Sequence, residues 1–533
     1  MTNKPRVIVI GLDGATWNII QPLVEQGKLP TIGKLMKHGT YGDLESTIPP
    51  VTAPAWVSFA TGKITGNHGC FNFVMPKDGL DDLKPISTRD IKGDTFYKIL
   101  YDDGKKYILI NLPVSDPPLT DQITLGSLTT LGKNFVFPET LKDEIPELKD
   151  YRIVSNLSLK LNGKIEEFVK DVRVTDKHRF ECAMKLFNKE WNLFFLLFRG
   201  TDAIQHNLYH KIIEKIKRNL FDDEVLKLYV ELDSYIGWFV NNVPKDTSLI
   251  LMSDHGFKVY EGVFYINEWL KREGYLKLIS IEDTPLHAVR TREFKRYEKN
   301  KITIPNFILK IGAFLNQFIP MSRVYLKISK ILPIKVATVI RPDLSKTFAF
   351  TANAASHGIY INRSAIKNYN IEYDVIRNEI IENLKNLKNP KNNKSLFKEV
   401  LKKEDIGGNN LQHAPDIILI LDEYNISSSI VHQIFENHFS ELCNFHDYRG
   451  IFCISGPRIK KNQEIKNAKI IDIAPTILHL FGSPIPNDMD GKVLTECFEE
   501  NSELAKRGIV YQDVSEKARI KDKIKSLKIS KKI

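Results

Sequence analysis

The chain has 533 residues, a formal net charge of +11, and ordinary apolar (42%) and charged (26%) fractions for a globular protein. Its length exceeds that of one small domain and fits one large enzyme domain with insertions, or two to three domains. The positive charge suits an anionic ligand such as a phosphate ester, a membrane surface or nucleic acid, and it does not choose among them.

Three features argue against a secreted or membrane-spanning protein. No apolar run approaches the ~18 residues of a transmembrane helix. The first strand is not preceded by a charged region, an apolar stretch and a cleavage site. The five cysteines are scattered without a Cys-x-x-Cys pair, so neither a disulfide framework nor a cysteine-based zinc site is indicated. We therefore expect a cytoplasmic protein.

The first predicted strand is an apolar run that starts at Arg6 and ends in Asp13 and Gly14. A continuous apolar run is typical of a strand buried on both faces of a parallel sheet. Loops at the carboxyl ends of such strands are where open α/β sheets build their sites, which makes Asp13 a candidate functional residue. The alternative is that Asp13 only forms a turn with Gly14. A helix over 30–38 and a strand over 42–46 follow.

Thr52 stands between two prolines and a segment of helical composition. Pro49 and Pro50 impose extended backbone, and Pro54 is tolerated in a first helical turn. Thr52 is therefore predicted to be the N-cap of a helix that starts at Ala53. A hydroxyl in that place also faces free N–H groups and the positive end of the helix dipole, which favour a phosphoryl group.

Two further buried strands end in acidic and imidazole side chains. The run over 191–198 leads into a predicted helix on which Asp202 and His206, four residues apart, share one face. His210 continues that face as a rival ligand. The run over 248–252 ends in the tandem pair described next.

Asp254 and His255 precede Gly256 at the end of that second strand. A carboxylate and an imidazole in tandem can ligate one divalent metal from a tight turn. The alternative is an Asx-type turn with a surface histidine.

The later part of the chain contains two basic stretches. Residues 280–345 are rich in Lys, Arg, Ile and Phe and predict an inserted cap of short basic helices between a first core segment, 1–279, and a second one, 346–500. Residues 501–533 form a Lys-rich tail. Both basic stretches are interpreted as solvated surface, and the alternative is peripheral contact with an anionic membrane.

The alternation of strands and helices predicts an α/β fold with a mostly parallel central sheet flanked by helices. Six acidic or imidazole residues follow apolar strands or stand beside one, so all can meet at one edge of this sheet: Asp13, Asp202, His206, Asp254, His255 and His446. Three carboxylates and three imidazoles suffice for two divalent metals beside one hydroxyl nucleophile. Two metals ~3.5–4 Å apart clamp the attacking and leaving oxygens of an in-line displacement.

These motifs resemble those of the type I phosphodiesterase/nucleotide pyrophosphatase family of the alkaline phosphatase superfamily. The resemblance extends from Val7 to about Leu494, and 280–345 is the part least covered. It rests on Gly11-Leu12-Asp13-Gly14, Pro49-Pro50-Val51-Thr52 with Thr61-Gly62, Thr201-Asp202-x-x-x-His206, Asp254-His255-Gly256 and His446-x-x-x-Gly450 before Gly456-Pro457. Together these motifs are specific, and each alone is weak.

The resemblance implies an alkaline-phosphatase-like sheet and a division of labour among the candidates. One metal would be bound by Asp13, Thr52, Asp254 and His255. The other would be bound by Asp202, His206 and His446. The ions would be zinc, with manganese as the alternative, and Thr52 would be the nucleophile. An amide side chain just after the nucleophile helix, Asn72, would contact the phosphoryl oxygen.

The last ligand of the second metal has two candidates. His446 lies in a polar loop directly before a buried strand and Gly-Pro, whereas His357 precedes Gly358 in a segment of sheet-like composition. We prefer His446 because of that loop.

The expected function is metal-dependent hydrolysis of phosphate diesters or nucleotide pyrophosphates through a phosphothreonine intermediate. The substrate would be a small-molecule phosphate ester or nucleotide, and no specific nucleic-acid partner is predicted. The sulfatase pattern is absent, because Thr52 is followed by Ala-Pro-Ala without an Arg. Alternatives within the superfamily are a phosphomonoesterase, a phosphomutase or a phosphotransferase. The alternative from another class is a membrane-surface or nucleic-acid-binding protein on an inactive enzyme fold.

Overall fold

The computed structural model describes residues 5–79, 82–130, 135–221, 223–283, 337–353 and 357–514. Most of the predicted cap, 284–336, and the tail beyond 514 lie outside these ranges. The two ends of the cap segment, Leu278–Asp283 and Ala337–Pro342, pair as antiparallel strands. The cap segment therefore leaves and re-enters the fold at one place, and the division into core, cap and tail stays a prediction.

The strands are β1 (Arg6–Leu12), β2 (Gly39–Glu45), β3 (Val74–Gly79), β4 (Asp82–Pro85), β5 (Tyr107–Ile110), β6 (Ile123–Leu125), β7 (Val136–Phe137), β8 (Leu193–Phe198), β9 (Thr247–Met252), β10 (Gly256–Val259), β11 (Gly262–Tyr265), β12 (Leu278–Asp283), β13 (Ala337–Pro342), β14 (Ala349–Phe350), β15 (Gly358–Ile361), β16 (Phe397–Lys402), β17 (Ile417–Leu421), β18 (Tyr424–Ser427), β19 (Phe435–Glu436), β20 (Asn444–Asp447), β21 (Arg449–Ser455), β22 (Gln463–Lys469), β23 (Ile485–Pro486) and β24 (Tyr511–Gln512).

The α-helices are α1 (Trp17–Glu25), α2 (Pro30–His38), α3 (Thr52–Thr61), α4 (Thr65–His68), α5 (Phe96–Asp102), α6 (Leu141–Glu144), α7 (Leu157–Leu161), α8 (Ile165–Phe187), α9 (Gly200–Lys217), α10 (Glu224–Asn242), α11 (Ile266–Arg272), α12 (Arg363–Asn368), α13 (Tyr373–Asn386), α14 (Ile473–Phe481) and α15 (Glu503–Lys506).

A nine-stranded sheet in the order β22-β2-β21-β9-β1-β8-β5-β6-β7 forms the centre of the described fold. β7 and β21 run opposite to the other strands, which are parallel to one another. This mostly parallel sheet confirms the predicted α/β class. β1 lies between β9 and β8, with Gly11 opposite Met252 on one side and Leu197 on the other. These three strands therefore end side by side.

Helices cover both faces of this sheet. Ile8 and Ile10 of β1 point into one buried cluster, which includes residues of α1, α2, α8, α9 and α10. Val7 and Val9 point into the opposite cluster, which includes residues of α3, α5 and α14. The alternation follows from the period of two along a strand. Two apolar faces explain why these strands read as continuous hydrophobic runs.

A second hydrophobic core lies beside the central sheet. It is built on the four-stranded sheet β14-β15-β17-β16 and is covered by α11 and α13, with side chains such as Trp269, Ile380 and Leu419 fully or almost fully buried. This core contains much of the chain on either side of the predicted cap. The strand β10 pairs with β20, which is distant in sequence, and β20 contributes His446 to the site described below.

All five cysteines are buried and free. Burial raises the pKa of the Cys453 thiol to about 12. In the part of the chain that the structure describes, no helix is long and apolar enough to cross a bilayer.

Gly11 makes room for the helix that begins at Thr52. A Cβ on Gly11 would lie 2.7 Å from Trp56 Cη2 and 2.7 Å from Leu197 Cδ1. Trp56 is fully buried on α3 and packs edge-on against Phe59 and Phe195. The absence of a side chain at Gly11 therefore sets how closely α3 approaches the sheet.

We expect Gly11→Val to lower the free energy of unfolding by about 1–3 kcal/mol, because the added carbons overpack a filled core. Urea unfolding followed by circular dichroism measures the change. Gly508→Ala is the matched control, because a Cβ there meets nothing within 4 Å, and its effect should stay within about 0.5 kcal/mol. Equal effects of the two substitutions would contradict this account of Gly11.

Candidate active site

The carboxyl ends of β9, β1 and β8 bring together residues that are far apart in sequence. Asp13 directly follows β1, the pair Asp254 and His255 follows β9, and Asp202 lies in the first turn of α9, after β8. All four side chains are buried. The predicted meeting of these residues at one edge of the sheet is therefore what the structure shows.

The first group of side chains surrounds the imidazole of His255. Its Nε2 lies 3.3 Å from Asp254 Oδ2 and 3.7 Å from Asp13 Oδ1. Asp254 is held in place by the backbone, because Gly14 N–H donates to its Oδ1 at 3.1 Å and Ser46 Oγ donates to its carbonyl at 2.6 Å. The first group therefore places two carboxylates and one imidazole around a common point.

The second group consists of Asp202, His206 and His446. Asp202 Oδ1 lies 3.2 Å from His206 Nε2 and 3.4 Å from His446 Nε2, and the two Nε2 atoms are 3.2 Å apart. The helical spacing of four residues brings Asp202 and His206 together. His446 arrives from β20, which pairs with β10 so that His446 stands opposite Phe257.

The protonation of two histidines suits metal binding. His446 Nδ1 donates to the Pro50 carbonyl at 2.9 Å, and His255 Nδ1 donates to the Gly256 carbonyl at 3.1 Å. A carbonyl oxygen only accepts, so Nδ1 carries the proton and Nε2 of the neutral ring keeps its lone pair. Burial lowers the pKa of His446, and it lowers the pKa of His255 to about 4. Both rings are thus neutral near pH 7, with a free lone pair facing the carboxylates.

The three carboxylates carry negative charge that the described residues do not fully compensate. Burial raises the pKa of Asp13, and the neighbouring Asp202 carboxylate raises it further. Burial also raises the pKa of Asp254 well above its usual range, with Asp13 as a second cause. Burial alone would raise the pKa of Asp202, but a protonated His206 beside it would hold that pKa well below its usual range. Negative charge concentrated in this way favours a bound cation.

Buried oxygen atoms of the same carboxylates lack hydrogen bonds. Among the described residues, Asp13 Oδ1, Asp202 Oδ1 and Asp254 Oδ2 have no hydrogen-bond partner. A buried, unpaired carboxylate oxygen is costly unless a cation or donor meets it. One ligand atom each from Asp13, Asp202 and His255 lie within 4.8 Å of one another, and so do atoms from Asp202, His206 and His446. The residues therefore fit two divalent metal ions, with Asp202 between the two groups.

Thr52 lies at the edge of the first group. The helix α3 begins at Thr52 itself and its N-cap is Val51, so the prediction that Thr52 is the N-cap is wrong by one residue. The extended backbone imposed by the prolines ends at Val51, and Thr52 is already helical. Its hydroxyl lies 3.4 Å from His255 Nε2. The hydroxyl that would serve as nucleophile thus faces the first group.

Asn72 is held by two hydrogen bonds. Its Nδ2 donates to Asn353 Oδ1 at 3.0 Å, and its Oδ1 accepts from Phe73 N–H at 2.8 Å. Asn353 and Thr52 line one cavity. The predicted contact between Asn72 and the phosphoryl oxygen therefore stays a prediction.

The two rival histidines lie outside both groups. His210 Nδ1 contacts the Asn444 amide at 3.1 Å, and its ring packs against Phe439. His357 is fully buried beside Phe445 with φ of 44°, and in the described part of the chain neither ring nitrogen has a hydrogen-bond partner. The structure thus brings His446, and not His357, to Asp202 and His206.

Sequence reasoning missed Arg199 and Lys160. Arg199 stands between β8 and α9, and its guanidinium contacts Asp13 and Asp202. Lys160 on α7 lines the cavity, and burial lowers its pKa. Arg199 could have been noticed as a charged residue at the end of a buried strand. No motif or spacing distinguishes Lys160 from the many other lysines.

A cavity of about 390 Å³ opens beside Thr52 and the second group. Apolar side chains of α7 and α8 contribute to its lining: Leu157, Leu161, Phe168 and Val172. The same lining includes the polar residues Thr52, Asp202, His206 and His446. The cavity therefore offers room for an apolar or aromatic substituent next to the reactive groups.

A family model described as type I phosphodiesterase / nucleotide pyrophosphatase matches residues 7–433. No match was found among curated protein sequences.

Solved structures share the fold at low sequence identity. The alkaline phosphatase PafA is 14% identical, with a TM-score of 0.59, and the match covers 94% of this chain and 100% of that one. Phosphonoacetate hydrolase from Sinorhizobium meliloti 1021 in complex with phosphonoacetate is 12% identical, with a TM-score of 0.51 and coverage of 90% and 96%. Murine ectonucleotide pyrophosphatase/phosphodiesterase 5 is 14% identical, with a TM-score of 0.47 and coverage of 90% and 95%. The first two confirm an alkaline-phosphatase-like fold.

His446 and His357 are the two candidates for the last ligand of the second metal, and substitution of each one tests the metal content. We expect His446→Ala to leave about one metal ion per chain after zinc loading and desalting, because the second group loses one of three ligand side chains. His357→Ala is the matched control and should leave about two. Metal analysis by inductively coupled plasma mass spectrometry measures both, and the reverse pattern would move the second metal to His357.

Proposed function

The chain belongs to the type I phosphodiesterase/nucleotide pyrophosphatase family, and we propose that it hydrolyses phosphate diesters or nucleotide pyrophosphates with two divalent metal ions and a phosphothreonine intermediate. Enzymes of this family act on small-molecule phosphate esters or nucleotides. The observation that carries the proposal is the position of the Thr52 hydroxyl. It lies 3.4 Å from His255 Nε2, beside the two carboxylate and imidazole groups.

The proposed metal ligands follow from the two groups. One ion would be held by Asp13, Thr52, Asp254 and His255. The other would be held by Asp202, His206 and His446. Oxygen and imidazole donors suit zinc, with manganese as the alternative. When bound, the ions would supply positive charge that lowers the pKa of the Thr52 hydroxyl and of water and polarises the phosphoryl oxygens.

The reaction divides into two displacements at phosphorus. Thr52 Oγ forms a bond to phosphorus while the bond to the leaving oxygen breaks, and the alcohol or nucleotide departs with a proton. Water then attacks the same phosphorus and breaks the bond to Thr52, which restores the hydroxyl and releases the phosphate product. The N–H groups of Thr52 and Ala53 at the start of α3 precede the first hydrogen bond of the helix, which joins Ala55 N–H to the Val51 carbonyl, and they favour the negative charge that gathers at this position.

The cavity beside Thr52 supports a diester as the substrate. A diester carries one less negative charge than a monoester dianion and a second substituent that needs space. The apolar lining formed by Leu157, Leu161, Phe168 and Val172 can take such a substituent.

We propose a cytoplasmic setting for the enzyme. Five free, buried thiols suit a reducing cytoplasm. Contact of the basic cap or tail with an anionic membrane stays a prediction, because both segments fall largely outside the described residues.

Substitution of the nucleophile tests the intermediate. We expect Thr52→Ala to lower kcat by about three orders of magnitude or more, because the attacking oxygen is removed. Thr52→Ser keeps the hydroxyl and should retain substantial activity. Kinetics with an aryl phosphodiester, together with mass spectrometry of acid-quenched enzyme for phosphothreonine that still carries the second ester group of the substrate, measure both parts. Wild-type kcat in Thr52→Ala would exclude Thr52 as nucleophile.

The substrate preference is a separate prediction. An aryl phosphodiester should show a higher kcat/KM than the corresponding aryl phosphomonoester, because the cavity beside Thr52 accommodates a second substituent. Initial rates for such a pair under identical zinc loading measure the ratio. A clear monoester preference would reassign the protein to phosphatase or phosphomutase chemistry even with Thr52 as nucleophile.

A further inference from the structure

Arg199 is a cation built into the middle of the candidate site. Only 14% of its side chain is exposed. Its Nε donates to Asp13 Oδ2 at 2.9 Å, and its Nη2 donates to Asp202 Oδ2 at 3.2 Å. The guanidinium therefore joins a carboxylate of the first group to the carboxylate shared by both groups.

The backbone that carries Arg199 is fixed by the neighbouring helix α8. Asp176 Oδ2 accepts a hydrogen bond from Gly200 N–H at 2.8 Å, and Asp176 is itself paired with the buried Arg179. A Cβ on Gly200 would clash with Asp176 Oδ2, so only glycine permits this approach. The start of α9 is thus anchored, and Arg199 is held where the strand β8 ends.

The guanidinium keeps donors that the carboxylates do not use. Arginine has five N–H donors in a planar fork. The two bonds to Asp13 and Asp202 use Nε and Nη2, and among the described residues Nη1 has no acceptor. Arg199 also lines the cavity that contains Thr52. Nη1 is therefore available to a ligand placed beside the Thr52 hydroxyl.

A permanent positive charge at this position disfavours the metal ions through repulsion. A neutral amide could hold the same two carboxylates without that penalty. An anionic ligand changes the balance, because guanidinium binds phosphate oxygens with short, charge-assisted hydrogen bonds. Asp13 and Asp202 thus account for two of the hydrogen bonds of Arg199, and an anion that shares the site with the metals would use the remaining donors.

We propose that Arg199 is a substrate-binding residue whose Nη1 donates to a non-bridging oxygen of the phosphoryl group at Thr52. It selects anionic phosphate esters and also retains the phosphate product. This inference rests on the proposed function for the location of the phosphoryl group. Arg199 contributes no atom to the bonds that form or break.

The test compares anion binding with metal binding, without turnover. In zinc-loaded protein, Arg199→Gln should weaken the binding of inorganic phosphate ~10–100-fold by isothermal titration calorimetry. The affinity for zinc, measured by competition with a fluorescent chelator, should not fall, because a repelling charge has been removed. Arg199→Lys keeps the charge and should give an intermediate loss of phosphate affinity.

Arg173→Gln is the matched control. Arg173 also pairs with two carboxylates, those of Glu224 and Glu231, but it does not line the cavity. Its substitution should change neither affinity. Unchanged phosphate binding in Arg199→Gln would overturn the inference, and so would a parallel fall in zinc and phosphate affinity, which indicates a structural role. Neither result depends on whether Thr52 is the nucleophile, so the two proposals can fail separately.

Discussion

The burial of three carboxylates at one edge of the sheet is the constraint on which the rest of the site depends. The parallel neighbours β9, β1 and β8 end side by side. Asp254, Asp13 and Asp202, which follow these strands, therefore lie close together. Desolvation and mutual repulsion raise the pKa of Asp13 and Asp254. Such an arrangement is unfavourable for folding unless positive charge is brought in, and Arg199 supplies only part of it. The fold thus favours the binding of cations beside the candidate nucleophile.

The position of that nucleophile depends on helix packing. Thr52 is the first residue of α3, so its place is set by how α3 packs on the sheet. That contact runs through Trp56, which lies over the bare backbone of Gly11 in β1. The strand that ends in Asp13 therefore also carries the glycine that admits the nucleophile helix. The strand β1 therefore positions both a candidate metal ligand and the candidate nucleophile.

Elements and candidate site residues could be predicted from the sequence where a short local pattern determines them. Asp13, Asp254 and His255 could be predicted as candidate site residues because they follow buried apolar runs. The bounds of α2, Pro30–His38, were also predicted correctly. The helix start at Thr52 was misplaced by one residue because composition does not distinguish a cap from a first helical residue. The contact of Arg199 with Asp13 could not be predicted, since it depends on the register between β1 and β8.

The approach of His446 to Asp202 and His206 likewise depends on long-range strand pairing. The same histidine connects the second group to the segment before Thr52. His446 reaches Asp202 because β20 pairs with β10, and its Nδ1 donates to the carbonyl of Pro50, two residues before Thr52. The segment that presents the candidate nucleophile therefore also fixes the tautomer and orientation of a candidate ligand in the other group. A displacement of Pro50 would misplace both at once. In-line displacement needs the attacking and leaving oxygens held in one geometry. Because the Pro50 segment contacts His446 and leads into Thr52, it keeps the relative position of the two groups fixed.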